Sequence, residues 1–354
     1  MKTDVFDRWI RRKTCESCAI LTPRVMCFVM TWSLQEDMDA SEIAAHYFVH
    51  HIADESGSVP RDDFGVEFKG DTRRRLASRS DPDEVLMVAQ GGNVLLHTPS
   101  GGKSENKIDQ ASLSVARSPR FIDDRFYAAG MDRGVLRRDG VGNWTNISDS
   151  LREVPTTGIE ALGMGFEDVD GFAKDNIYAA GGDGEVFRYD GEQWSPIDVP
   201  SNAELTCICC ASDGYVYIGG GRGLIMRGRD EEWKIISAED SNREWQQIVD
   251  YNGQILAVDE WGAAIYAIGE KGVTELEGTR HLAPSTPCRC LAVGHGMLLA
   301  AGHECASLYD GTSWRSLFKS AEAEDLALAS HWMQQIQEAL DEANEKLDEL
   351  DDAD

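Results

Sequence analysis

Phe126-Tyr-Ala-Ala-Gly-Met-Asp-Arg-Gly-Val-Leu-Arg-Arg-Asp-Gly140, followed by Trp144, returns as Ile177-Tyr-Ala-Ala-Gly-Gly-Asp-Gly-Glu-Val-Phe-Arg-Tyr-Asp-Gly191, followed by Trp194. A third copy is Val216-Tyr-Ile-Gly-Gly-Gly-Arg-Gly-Leu-Ile-Met-Arg227, with Trp233 after it. Ile255–Tyr266 is a weaker copy, and Leu298–Gly311 with Trp314 is a clear one. Val85–Leu96 is an early, degenerate one. Units of about 40 residues with short apolar runs and Gly-rich turns are the mark of propeller blades. The reading is an all-β, six-bladed β-propeller over residues 81–318, with a seventh blade left open.

Each unit reads as four strands. In the Val216 copy, Leu205–Ala211 is the inner strand, Tyr215–Gly220 the second, Leu224–Arg229 the third and Trp233–Ser237 the outer one. Ser212-Asp-Gly214 between the first two is a turn, because Asp-Gly accepts the positive φ that tight hairpins need. The recurring Trp is read as a packing anchor between neighbouring blades.

Tyr-Asp-Gly-x-x-Trp occurs at Tyr189–Trp194 and again at Tyr309–Trp314. This pattern resembles the blade ends of many bacterial propellers, loosely akin to kelch and sialidase-type repeats. It departs from the sialidase Asp-box, which has a Ser before the Asp and five steps from Asp to Trp. The resemblance therefore implies fold and carries no sialidase chemistry, since propellers host many unrelated functions.

Outside the repeats, residues 1–80 are read as a mixed N-terminal extension that could close the ring. Val25–Trp32 reads as a strand, and Leu34–Ala53 as a helix with Ile43 and Tyr47 on one side. From 319 to 354 the apolar residues Leu326, Ala329, Met333, Ile336, Leu340, Ala343, Leu347 and Leu350 step by three and four. That spacing predicts an amphipathic, acidic C-terminal helix, which either packs on the propeller or binds a partner.

Catalytic and cofactor motifs are sought and not found. Gly102-Lys-Ser104 lacks the leading glycine of a phosphate loop, because His97 stands there. His46 and His50 lack the adjacent Glu of a metalloprotease helix and read as an incidental surface pair. Cys15-Glu-Ser-Cys18 has zinc half-site spacing, but Cys288-Arg-Cys290 is not a matching second half. No metal and no cofactor is expected, and no enzyme.

The chain has 34 Lys and Arg against 62 Asp and Glu, a formal net charge of −28. Such a surface excludes nucleic acid as the expected partner and suits a basic protein. The start of the chain reads as neither a secretory signal nor a membrane span, and the odd count of nine cysteines suits a reduced, cytoplasmic setting.

Propeller geometry places the turn between second and third strands on one face with the connections between blades. Its equivalent positions are Gln90, Asp132, Asp183, Arg222, Trp261 and Glu304, with Glu260 beside Trp261. The connections add Asp149, Glu153, Glu239 and Asp240. The candidate partner-binding residues are Asp132, Asp183, Arg222, Glu239, Asp240, Glu260, Trp261 and Glu304, with Trp261 as the aromatic anchor. The functional expectation is a non-catalytic protein-binding propeller, in its sharpest form an acidic immunity protein that neutralises a basic bacterial toxin such as a nuclease. A carbohydrate-binding or carbohydrate-cleaving propeller is the first alternative. A scaffold assembling complexes through its C-terminal helix is the second. Oligomeric state is not read from the sequence.

Overall fold

The computed structural model describes residues 10, 13–32, 44–53, 64–69, 73–109, 112–151, 165–237, 243–260, 264–276 and 288–319. Among them lie seven four-stranded antiparallel sheets, each built from one continuous stretch of chain. The inner strands are Lys13–Thr22, Arg74–Ser80, Ala116–Ile122, Phe166–Ala173, Leu205–Cys210, Trp245–Tyr251 and Cys290–Gly294. Each inner strand contacts those of the two neighbouring blades, and that of blade 7 meets that of blade 1. The inner strands thus surround a central channel. Apolar clusters fill the wedges between blades, one of them joining blade 7 to blade 1 through Phe28, Phe48, Leu299 and Phe318.

The propeller therefore has seven blades, not six, and it begins at Lys13 rather than at residue 81. Residues 13–69 form a whole blade with none of the repeat's Gly or Trp marks. The reason lies in burial. Seven of the eight residues from Lys13 to Ile20 are buried, because this strand is pressed between blades 7 and 2. A strand covered on both faces shows no alternation and hides from a period-2 search. Ala44–His51 is likewise a strand, not a helix: Tyr47, Phe48 and Val49 are consecutive and all buried. A helix on a core would bury one stripe, whereas a sandwiched strand buries both sides. His46 is buried beside Glu67 at 3.7 Å and is not a surface residue. The expected strand Val25–Trp32 is present as read. The expected C-terminal helix over 319–354 lies outside the described residues beyond Lys319.

The repeat's Ala-Ala-Gly has a steric cause. The second strand ends where the chain entering the same blade's inner strand crosses it. The N–H after each glycine donates to that chain: Met131 to Val115 O at 3.0 Å, Gly182 to Gly165 O at 3.3 Å and Gly221 to Glu204 O at 3.1 Å. A Cβ on Gly181 would stand 1.8 Å from the Gly165 carbonyl oxygen. Two backbones meet there, so neither side can rotate away. Gly181→Ala is expected to cost about 3 kcal/mol through forced backbone displacement. Denaturant unfolding measures it, and an unchanged midpoint would remove this account of the repeat.

Tyr-Asp-Gly-x-x-Trp is a self-contained turn. Asp310 Oδ1 accepts the N–H groups of Thr312 at 2.8 Å and Ser313 at 2.9 Å. Asp190 accepts those of Glu192 and Gln193 in the same way. The Thr312 hydroxyl, which donates to the same oxygen at 2.6 Å, and then these N–H bonds hold the Asp310 carboxyl down at about 2. Tyr189 and Tyr309 each donate to the following glycine's carbonyl and pack against the Trp, with ring centroids 5.2 Å apart. Trp194 also donates to Ile147 O of the preceding blade at 2.9 Å. In blade 4, the tryptophan does anchor one blade to the next.

Candidate partner-binding face

Four of the turns between second and third strands share one backbone solution. Asp132, Asp183, Arg222 and Glu304 all have a left-handed φ, at 57°, 57°, 55° and 54°. Glycine adopts that conformation freely, while a residue with a Cβ is penalised by roughly 1–2 kcal/mol, less for Asp. One turn geometry thus carries three different side chains at four positions. Asp132, Asp183 and Arg222 are exposed, and Gln90 is half-buried. The Asp132 turn is braced: Arg133 holds Glu185 of blade 4 through two bonds, one of them Nε to Oε2 at 2.9 Å. Glu185 in turn raises the guanidinium's affinity for its proton.

Glu304 belongs elsewhere. It is fully buried, its N–H donates to Lys13 O at 2.9 Å, and its carboxylate lies 3.8 Å from His303 Nε2. The equivalent turn of blade 7 is covered by the first strand of blade 1, so its side chain is part of the ring seam. Glu239, Asp240 and Trp261 lie outside the described residues, as does Glu153.

Sequence reasoning missed the mouth of the channel. Four of the described residues that directly precede inner strands are charged, and they sort by sign. Glu204 and Glu244 precede the inner strands of blades 5 and 6, while Arg73 and Arg289 precede those of blades 2 and 7. Glu167 and Glu260 join the first pair. Burial raises the Glu244 carboxyl, and the charges of Glu260, Glu204 and Glu167 raise it further, with Arg73 opposing. Three like charges acting on one carboxyl mark an acidic arc over blades 4–6. Arg117, on the other side, pairs with Glu167 at 3.2 Å. The signal available in the sequence was an acidic residue at the same offset before two inner strands.

Below the rim, polar side chains cap the open edges of the inner strands. In a propeller each inner strand is a sheet edge, and its unpaired N–H groups need acceptors. Ser17 Oγ accepts Leu76 N at 3.0 Å, Asp168 Oδ2 accepts Ile208 N at 3.0 Å, and Asp170 Oδ2 accepts Cys210 N at 2.9 Å. Gln247 Oε1 accepts Leu291 N at 2.8 Å. Arg120 crosses the channel between blades 3, 4 and 5. It donates to Asp168 Oδ2 at 3.0 Å, Val169 O at 3.0 Å and Ile208 O at 3.1 Å. Beneath it lies a cavity of about 270 Å³, walled by Cys18, Asp170, Cys209, Cys210 and apolar residues of blades 6 and 7. Among the described residues no group of three His, Cys, Asp or Glu is arranged to hold a metal ion. Among the same residues no helix is long and apolar enough to cross a membrane.

No family model matches the chain. Solved structures share its architecture. Virginiamycin B lyase from Staphylococcus aureus superposes with a TM-score of 0.60 at 11% identity, over 83% of this chain and 93% of that one. The WD40 β-propeller domain of Doa1 gives 0.57 at 11% identity, over 88% and 95%. YCF48 bound to D1 peptide gives 0.55 at 11% identity, over 84% and 93%. At such identities these matches speak for the fold alone. A curated relative goes further. The immune protein Tsi7 from Pseudomonas aeruginosa is 35% identical over 239 residues, which span 66% of this chain and 75% of the relative. An identity that high, sustained over three quarters of the relative, settles the kinship: this seven-bladed propeller belongs to the family of the immune protein Tsi7.

Proposed function

We propose that this protein is an immunity protein that binds a toxin and blocks it, with no catalysis of its own. Kinship with Tsi7 is the observation that carries the reading. The toxin-binding face is the one formed by the turns between second and third strands and the blade connections, centred on the acidic arc of blades 4–6. Asp183, Glu204, Glu244 and Glu260 supply its charge, Asp132 and Arg222 belong to it, and Glu239, Asp240 and Trp261 are assigned to it from their sequence positions alone. Three observations support that choice of face. Different side chains ride on one left-handed turn where glycine would be cheaper. Burial first, and then the charges of Glu260, Glu204 and Glu167, hold the Glu244 carboxyl above its usual range, so a partner's cation there would relieve part of that cost. The net charge of −28 favours encounter with a basic partner.

The toxin is accordingly a basic protein, and a nuclease fits best. Its phosphate-binding surface presents clustered Lys and Arg, which a carboxylate arc can engage in place of phosphates. A nuclease acts where nucleic acid is, so the site of protection is the cytoplasm. The nine cysteines, all free, suit that compartment.

The test is capture of a basic protein by the tagged chain from its native cells, with low-salt and then high-salt washes. A single basic protein held near one-to-one is expected, toxic when expressed alone and harmless when co-expressed with this chain. Retention of no protein at either salt, or of one whose toxicity is not relieved, would refute the reading.

A further inference from the structure

The ring has one junction without chain continuity. Blades 1 to 7 each consist of one stretch of chain, and six junctions are crossed by the polypeptide. The junction of blade 7 with blade 1 is not. Among the described residues no strand is shared across it, in contrast to a ring closed by mixing both chain ends in one sheet. It is held by packing and a few hydrogen bonds, among them Cys15 N to Gly302 O at 3.0 Å and Glu304 N to Lys13 O at 2.9 Å.

At that junction two thiols meet. Cys290 Sγ, on the inner strand of blade 7, lies 3.3 Å from Cys15 Sγ, on the inner strand of blade 1. Both are buried among apolar side chains. Cys18 lies in the same group and also lines the 270 Å³ cavity of the central channel, so a small solute in the channel comes up against Cys18, the immediate neighbour of the pair. The thiols differ in readiness to ionise. Burial pushes Cys27 and Cys207 up to about 12, and it raises Cys15 and Cys18 as well. Burial opposes ionisation of Cys290 too, but its contacts with Cys15 and Cys18 outweigh that and lower it. The 3.3 Å contact puts a second thiol in place to resolve the first once that one is oxidised.

We propose that Cys15 and Cys290 are a peroxide-oxidised pair whose disulfide covalently closes the propeller ring. The oxidant is hydrogen peroxide, small enough to reach the cluster through the channel. The Cys290 thiolate attacks one peroxide oxygen, the O–O bond breaks, and the departing hydroxide takes up the proton Cys290 had released. Cys290 is then a sulfenic acid. Cys15 sulfur attacks the sulfenic sulfur, the S–S bond forms, and the S–O bond breaks. The second hydroxide leaves as water with the proton of Cys15. Two thiols lose two electrons and two hydrogens, and one peroxide becomes two waters. The product bridges residues 275 positions apart in a chain of 354, so it constrains most of the unfolded chain.

The experiment uses the full, pre-reduced chain with and without hydrogen peroxide. Intact mass is expected to fall by two hydrogens, and digestion after thiol blocking to yield the cross-linked Cys15 and Cys290 peptides. The melting midpoint is expected to rise by about 5–10 °C and to return on reduction. Cys15→Ala abolishes all three effects and Cys18→Ala keeps them. Oxygen addition without the cross-link overturns the proposal, as does a cross-link mapped to other cysteines. A Cys15–Cys290 cross-link that leaves the midpoint unmoved overturns the ring-closing role. The wild-type peptide map decides the pairing whether or not Cys15→Ala folds.

Discussion

Arg120→Met is expected to lower stability by about 3–5 kcal/mol at neutral pH, the loss typical of a buried ion network stripped of one partner. Arg120 is about a quarter exposed, and what it faces is the channel. It pairs with Asp168 at 3.0 Å and lies 3.8 Å from Asp170. Burial works against its charge, but these two carboxylates more than compensate and hold its proton more tightly. Methionine keeps much of the volume and removes the charge. Two carboxylates then face each other in a confined channel, and Val169 O and Ile208 O lose a donor.

The deficit should depend on pH with a definite sign. Burial already holds the Asp170 carboxyl above its usual range, against the pull of Arg120 and of the Cys210 and Gly171 N–H groups. A carboxyl raised in the folded state favours folding when protonated, and that contribution is lost as pH rises through the raised value. Removing Arg120 raises it further. The variant should therefore be closest to wild type near pH 4 and fall behind toward neutral pH. Urea unfolding at the two pH values measures this. Equal deficits at both would mean that Arg120 matters for its packing and not for its charge.

The contrast between Tyr178 and Arg120 explains what the sequence could reveal. Tyr178 lies on a second strand, where every blade needs a flat apolar segment ending in a small residue. The Gly181 contact shows why that small residue recurs. Second and third strands were therefore legible, and Leu205–Cys210, Val216–Gly220, Ile225–Arg229 and Glu232–Ser237 fall within a residue or so of where the repeat places them. Inner-strand residues such as Arg120, Asp168 and Asp170 obey a different rule. Each bonds to the inner strand of a neighbouring blade, and its partners there lie 40 or more positions away. No local pattern announces a partner at that distance. Blade 1 was hidden for a third reason. Its middle strands carry buried runs such as Cys27–Met30 and Tyr47–Val49, so burial on both faces erased the alternation that marks a strand. The turn positions of Asp132, Asp183 and Arg222 were legible because turns can be counted along a repeat. Counting failed at Glu304, where the turn meets the other end of the chain.

Charge reversal on the acidic arc is expected to weaken toxin binding about 100-fold and to abolish protection of cells. The variant combines Asp183→Lys, Glu204→Lys and Glu260→Lys. Asp183 and Glu204 are exposed, Glu260 is half-buried, and no side-chain hydrogen bond or ion pair of theirs holds the fold together within the arc as described. Reversal turns attraction into repulsion at each position, so the effect exceeds that of truncation. The change in formal charge also weakens long-range attraction, and that must be separated from the local effect. Asp175→Lys, Glu192→Lys and Glu231→Lys make the same change in net charge at exposed turns of the opposite face. If the arc is the binding face, the opposite-face variant keeps near-native affinity and slows association only modestly. The arc variant should lose affinity through both faster dissociation and slower association, and the difference should shrink as salt screens the charges. Binding kinetics at two ionic strengths, with unfolding curves to show that both variants fold, decide the matter. Equal losses from the two faces would mean that net charge steers the toxin to a site elsewhere. A loss confined to the opposite-face variant would move the interface to the turns that hold Asp190 and Asp310.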